Sequence, residues 1–345
     1  MAYRFKSDEP FEKALRRIAR SQIDQALDEL SAVDVLAKGV HESRKSLKRL
    51  RALIRLMAPA MGAKNARARN AALRDIGRLL ESRREADVCL ETLSRLEQTV
   101  APEVRDALAP LRDGMMAQEM ARPAPLDPQI AAQARALLIE EAKRFSKVRI
   151  KGKGFEALSR GLEDSYRAGR RALAKATDKP ATETVHELRK TVQWHWRQMS
   201  LLSRAWPDEF QARIAAAREL SQILGEDHDL AMLEQSAHGL GLPAAQVADI
   251  SRICQTRQLA LRAIAEPLCR RLLAEPPGAF RRRMAAYWDF SRQPKSAEGT
   301  HSQRPKTAET APPGSSTEAP AGISQASAPR LAAKTPGPSR SQRRV

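Results

Sequence analysis

A short box of basic residues around a histidine occurs twice in this chain of 345 residues. The first copy, Val-His-Glu-Ser-Arg-Lys, runs from Val40 to Lys45, and the second, Val-His-Glu-Leu-Arg-Lys, runs from Val185 to Lys190. Arginine offers a fork of donors to phosphate oxygens, lysine a mobile point charge, and histidine a further donor that strengthens once it is protonated. These residue types in this pattern indicate a site for a phosphate-rich anion.

Helical spacing places the cations of each box on one face. Successive residues of an α-helix are about 100° apart, so residues three, four and seven positions apart share a face. In the first copy the opposite face carries Leu47, Leu50 and Ile54, which would turn to a core. The second copy is less basic, because glutamine and tryptophan stand where the first has lysine and arginine. The candidate anion-binding residues of the two helices are His41, Arg44, Lys45, Lys48, Arg51, Arg55, His186, Arg189, Lys190, Arg197 and Arg204.

Both box histidines are expected just after a helix start. Free backbone N–H groups and the helix dipole favour anions there, and a histidine could add a donor of its own. The alternatives for His41 and His186 are direct contact with the anion and a packing or capping role. Both alternatives stay open at the level of sequence.

A second pair of segments repeats at nearly the same distance. Leu73–Leu80 aligns with Ala217–Leu224 at an offset of 144 positions, against 145 for the histidine boxes. Arg74 matches Arg218 in this alignment, and both are candidates either for the anion site or for structural ion pairs. Two boxes at one offset indicate an internal duplication.

The charge of the chain also favours an anionic partner. Formal net charge is +19, and the segment from Ser291 onward, with nine basic and three acidic residues, accounts for +6 of it. The remaining +13 belongs to the rest of the chain, far more than solubility requires. Residues 291–345 hold eight of the 21 prolines among many Ser, Thr, Ala and Gly residues, which predicts a disordered basic tail.

Apolar residues recur at intervals of three and four from Phe11 to about Phe290, which predicts an all-α fold of helical hairpins. The proline-rich stretch from Arg122 to Pro128 is the best boundary between two repeat halves, at about 3–122 and 129–290. Three cysteines without a C-x-x-C pair, an N-terminus without an apolar leader segment and the lack of a long apolar window predict a cytoplasmic protein without membrane contact.

Four boxes resemble the CHAD family, the conserved-histidine α-helical domain. They are Val40–Arg51, Val185–Arg197, Arg84–Val88 and Leu224–Leu230, and the similarity covers about residues 3–290. The resemblance implies two four-helix bundles related by a pseudo-twofold axis, with a basic groove between them. It also implies binding of inorganic polyphosphate, often at polyphosphate granules. We therefore predict a non-catalytic polyphosphate-binding module without a cofactor or metal, with granule-associated proteins as candidate partners.

Two other functions are compatible with parts of the sequence. A metal-dependent phosphohydrolase would use the His–Asp pair in Glu226–Asp229, but the counterpart of His228 is Arg84, which cannot ligate a metal. Some relatives carry a triphosphatase domain with a Glu-x-Glu-x-Lys motif, which this chain lacks. A nucleic-acid-binding protein fits the charge, yet 14 aromatic residues offer few stacking surfaces for single strands.

Several other polar and aromatic residues are expected to have structural roles. His195 falls on the apolar side of its helix and is predicted to be a hydrogen-bonded core histidine. The neighbouring Trp194 and Trp196 are predicted to pack rather than to stack on a ligand. The carboxylates expected to pair with arginines around the site are Glu85, Asp87 and Asp229.

Overall fold

Helices make up nearly all of the described part of the chain, and no strand occurs within it. The computed structural model describes residues 3–32, 35–80, 84–120 and 126–293, with the backbone alone for 84–87. The predicted all-α class is confirmed. Beyond Gln293 the predicted tail lies outside the described residues, and so does most of the proline-rich boundary.

The helices are α1 Phe11–Glu29, α2 Ala37–Met61, α3 Ala63–Leu79, α4 Arg84–Thr99, α5 Pro102–Asp106, α6 Ala109–Met120, α7 Pro128–Ser146, α8 Glu156–Asp178, α9 Thr182–Leu202, α10 Pro207–Gly239, α11 Ala244–Leu272 and α12 Pro277–Phe290.

The order of helices repeats at the offset of the sequence boxes. Helices α8, α9 and α10 begin 145, 145 and 144 positions after α1, α2 and α3. The copies then diverge, because α3 ends at Leu79 and α4 begins at Arg84, whereas α10 continues unbroken for 33 residues. One long helix in the second half therefore corresponds to two shorter helices in the first.

The apolar core crosses the predicted boundary between the halves. The main cluster draws on α1 to α3, α7 to α9 and α12, together with the start of α10 and the end of α11. A smaller cluster joins α4 and α6 to the later part of α10 and the earlier part of α11. Helix α7 packs on α1 and α3, although it follows the boundary in sequence. The division into two four-helix bundles stays a prediction.

Helix α2 packs against α1, α3, α8 and α9 and so links the two copies of the histidine box. Its closest approach to α8 is at Gly161, where a methyl group would overlap the carbonyl group of Leu56. On the other side, α3 is tied to α7 by buried Glu141, which lies 3.3 Å from Arg69 and 2.8 Å from Arg144. These contacts fix α2 and α3 relative to the rest of the core.

In the described part of the chain, the helices are too short or too polar to cross a bilayer.

Replacing Gly161 with alanine tests the close crossing of α2 and α8. The added methyl group would push α8 away from α2, so we expect the free energy of unfolding to fall by about 2 kcal/mol, as for other overpacked core sites. Urea unfolding followed by circular dichroism measures it. The matched control is Gly239→Ala, where the methyl group would meet no atom within 4 Å. Equal stability of the two variants would contradict this packing.

Candidate anion-binding cleft

A cleft of about 360 Å³ lies between α2, α9 and α10, next to α4. On α9 the lining residues His186, Lys190, Gln193 and Arg197 are spaced by four, three and four positions, so they share one helical face. Among the described residues, Asp229 of α10 is the carboxylate that lines it. We call this site the cationic cleft. Its basic residues are Arg44, Lys48 and Arg51 from α2, and Arg189, Lys190 and Arg197 from α9.

The arginines from α2 are oriented by contacts with α3. The guanidinium group of Arg44 donates to the carbonyl oxygen of Leu80 at 3.2 Å, and Arg51 donates through Nε to the side-chain oxygen of Asn70 at 3.0 Å. Burial lowers the pKa of Arg51, and repulsion from Arg74 and Arg78 lowers it further. An arginine stays charged after such a shift, so the repulsion persists at neutral pH.

The arginines from α9 are more deeply buried than those from α2. Arg189 packs over Gly225 of α10 and lies 3.9 Å from Asp229. Arg197 is 6% exposed, lies over the ring of Trp196 at 4.3 Å, and donates to the carbonyl oxygen of Gln193 at 2.8 Å. Burial lowers the pKa of Arg197 to about 10. In both arginines Nε is buried without a hydrogen-bond partner. A buried donor without a partner is costly, and an anion could satisfy it.

Two histidine rings lie against each other in the cleft, tilted by 35°. The ring centroids of His186 and His228 are 4.3 Å apart, and Nδ1 of each is buried without a hydrogen-bond partner. Burial lowers the pKa of His186, and Lys190 and Arg189 lower it further. Burial, with Arg189 and His186, lowers the pKa of His228 to about 4. Both rings are therefore neutral at pH 7, in a cleft whose other basic groups are charged.

Seven of the predicted residues line this cleft, and six do not. The seven are Arg44, Lys48, Arg51, His186, Arg189, Lys190 and Arg197. Among the others, Lys45 pairs with Glu42 at 2.8 Å. Arg204 is exposed and lies beyond the end of α9 at Leu202, so it is not on the cationic face of α9 where its spacing predicted it. His41 lies half-buried on α2 and is not part of the lining.

The remaining three predicted arginines lie around the cleft. The guanidinium group of Arg55 lies 3.7 Å from the ring centroid of Trp194, which itself lines the cleft. Arg218 lies 4.9 Å from the ring centroid of Trp196. Exposed Arg74 pairs with neighbouring Asp75 at 3.1 Å. Arg55 therefore supports the aromatic wall at Trp194, Arg218 packs on Trp196 outside the lining, and Arg74 belongs to the outer face of α3.

The box histidines lie just past the free amides at the start of their helices. Each is the fifth residue of its helix, and the preceding residue already donates into the helix. The backbone N–H of Val40 reaches Leu36 at 3.2 Å, and that of Val185 reaches Ala181 at 3.0 Å. The cleft therefore depends on side-chain cations rather than on helix N-termini.

His228 and the nonpolar wall were not predicted as part of the site. His228 aligns with Arg84, a basic residue, so the repeat itself could have indicated a position that faces the anion. Besides the polar Gln193, the other lining residues are Val88, Cys89, Trp194 and Met232. Apolar residues of this kind occur on every buried helix, and their sequence pattern does not distinguish a cleft wall from a core.

Two of the structural roles expected from sequence are seen. His195 is 5% exposed, and its Nε2 accepts a hydrogen bond from Nε of Arg213 at 2.9 Å, as expected for a core histidine. Asp229 lies near Arg189, as expected for a carboxylate that steadies the site. The side chains of Glu85 and Asp87 lie outside the described residues.

A second basic depression, between α1 and α7, differs from the cleft in its charge balance. Its arginines have carboxylate partners along α1 or just before it. Arg17 pairs with Glu9 at 2.6 Å, and Arg16 pairs with Glu12 at 2.7 Å. Arg20 likewise pairs with a carboxylate of α1, at 2.8 Å. The arginines of that depression are each paired with a carboxylate, whereas the cationic cleft is lined by six lysines and arginines, of which Arg189 lies near Asp229 and Lys190 pairs with Glu187.

Comparison with known protein families assigns the fold. The family model of the CHAD domain matches residues 17–238, well over half of the chain, including both histidine boxes and the basic residues of the cleft. No curated protein is significantly similar to the chain. The match confirms the resemblance seen in the two boxes, and the chain belongs to the CHAD domain family.

Proposed function

We propose that the cationic cleft binds inorganic polyphosphate and that this binding is not coupled to catalysis. The observation that carries the proposal is the charge of the lining: six lysines and arginines face one cleft, with Asp229 as the carboxylate among the described lining residues. A chain of phosphates presents repeated negative charge and oxygen acceptors in every direction. Such a ligand can contact several of these cations at once.

The unpaired donors of the cleft support an anionic ligand. Nε of Arg189 and Nε of Arg197 are buried without partners, and so is Nδ1 of each of the two cleft histidines. Water or phosphate oxygens could satisfy these groups, but only an anion also relieves the repulsion among the surrounding cations. Affinity would come largely from release of counterions and would fall steeply with salt.

The chemistry of the lining supports binding rather than hydrolysis. His228, the candidate for a metal-dependent phosphohydrolase, lies against a second histidine beside Arg189, and a metal cation would be repelled there. In the part of the chain described, no three His, Cys, Asp or Glu side chains converge as a metal site would require. We propose that the protein acts in the cytoplasm, at polyphosphate granules.

Removing three cleft charges should abolish tight binding. In the variant Arg44→Gln/Lys48→Gln/Lys190→Gln we expect the Kd for long-chain polyphosphate to rise about 100-fold, since each charge-assisted contact is worth roughly 1 kcal/mol at a half-exposed site. The slope of log Kd against log salt should also decrease by about 2. Isothermal titration calorimetry over a salt series measures both quantities.

A control variant with the same change in net charge distinguishes the loss of contacts in the cleft from a weaker overall attraction between protein and polyanion. Arg149→Gln/Arg252→Gln/Arg270→Gln removes three exposed charges that do not line the cleft. We expect its Kd to stay within about threefold of the wild type, as for exposed charges distant from a site. Equal weakening in the two triple variants would exclude the cleft as the binding site.

Binding should strengthen as pH falls from 8 to 6. The pKa values of His186 and His228 are held below the ordinary value by burial and by cations. A bound polyanion would raise both pKa values, so binding takes up protons and affinity rises toward lower pH. In His186→Gln/His228→Gln we expect a flatter dependence on pH. Calorimetry at several pH values checks this, and an unchanged slope in the variant would contradict a proton-linked histidine pair.

A further inference from the structure

The outer face of α3 carries a row of four cations that the cleft does not include. Lys64, Arg67, Arg74 and Arg78 are all exposed, and helical spacing places them within about 80° of one another around the axis. The buried residues Leu73 and Ile76 point the other way, into the main core. We call the four cations the α3 stripe.

The α3 stripe carries a net positive charge. Asp75 is the one acidic residue in α3, and it lies 3.1 Å from Arg74 and 3.6 Å from Arg78. One carboxylate therefore serves two arginines. Glu141, the buried carboxylate between α3 and α7, pairs with Arg69 on another side of the helix. The stripe differs in this from the depression beside α1, where Arg16, Arg17 and Arg20 pair with three different carboxylates.

The stripe is continuous with the cationic cleft. Arg51, which lines the cleft, bonds to Asn70 in the middle of α3, and Arg74 and Arg78 are near enough to lower its pKa. At the end of α3, Arg44 of the cleft bonds to the carbonyl oxygen of Leu80. A ligand held by Arg44 and Arg51 would therefore pass directly onto the exposed face of α3.

The internal duplication provides a comparison within the same chain. At the offset of 144, Lys64, Arg67 and Arg78 correspond to Asp208, Gln211 and Gln222 at the start of α10. Only Arg74 has a basic counterpart, Arg218. The shared helix framework thus does not require the stripe, because the second copy folds without it. Three of the four stripe cations are therefore a feature of the first copy alone.

We propose that the α3 stripe is an extension of the binding site that holds a phosphate chain too long for the cleft. The inference rests on the proposed function. A volume of about 360 Å³ is at the lower end of the range for sites that enclose small molecules, so a long chain must continue outside it. Lys64 and Arg78 are 14 positions apart, which adds about 21 Å of cationic surface along the helix. The protein therefore distinguishes long phosphate chains from short ones by contacts on α3.

The test compares two probes, tripolyphosphate and long-chain polyphosphate, on the variant Lys64→Gln/Arg67→Gln/Arg78→Gln. These side chains are exposed, so the helical circular dichroism should be that of the wild type. We expect the Kd for the long chain to rise roughly tenfold, because exposed ion pairs are each worth only a few-fold in affinity. The Kd for tripolyphosphate should change less than about twofold, since the cleft alone holds it.

The control is again Arg149→Gln/Arg252→Gln/Arg270→Gln, which has the same net charge as the stripe variant and should bind both probes as the wild type does. An unchanged Kd for the long chain in the stripe variant would overturn the inference. An equal rise in Kd for the two probes would also overturn it, because the stripe would then act through long-range electrostatic attraction and not by direct contact with the long chain. If the wild type binds neither probe, the proposed function itself fails.

Discussion

Mutual repulsion among cations in a partly buried cleft is the constraint on which the rest of the structure depends. Six basic side chains from α2 and α9 share this site, and burial lowers the pKa of Arg51, Arg189 and Arg197. Like charges held together in a medium less polar than water destabilise a fold. The apolar core must offset this cost, and the close crossing at Gly161 holds α2 in place against it. A bound anion would relieve this repulsion, and the free energy gained would contribute to its affinity.

The constant offset between corresponding helices accounts for how two distant segments come to line one cleft, and differences between these segments account for the differences between its sides. Corresponding helices begin at a constant offset, so the two histidine boxes occupy equivalent places on α2 and α9. Each copy contributes three lysines or arginines to the cleft, and the first carries further cations along α2, with α3 beside it. The second contributes the aromatic wall at Trp194 and, through the unbroken α10, a second histidine in the cleft. The site is asymmetric because the repeats have diverged.

Much of the fold and about half of the site could be predicted from residue spacing. The helical period of three and four marked the elements, and the repeat offset paired the boxes that line the cleft. Spacing shows which residues share a helix face but not what each side chain contacts. Lys45 pairs with Glu42, and Arg55 packs on Trp194, so neither lines the cleft. The predicted position of Arg204 on the face of α9 does not apply, because α9 ends at Leu202. The alignment of His228 with Arg84 marks a basic position, but its place in the cleft depends on how α10 packs against α9.

Competition between polyphosphate and single-stranded DNA tests the central claim most directly, because charge alone would not distinguish the two polyanions. The wild-type protein is saturated with labelled long-chain polyphosphate and titrated with DNA at equal concentration of charge, at one fixed salt concentration. A cleft built for closely spaced phosphates predicts that the polyphosphate stays bound at equal charge and is displaced only by unlabelled polyphosphate. Displacement by DNA at equal charge would contradict the proposal and indicate a nucleic-acid-binding protein.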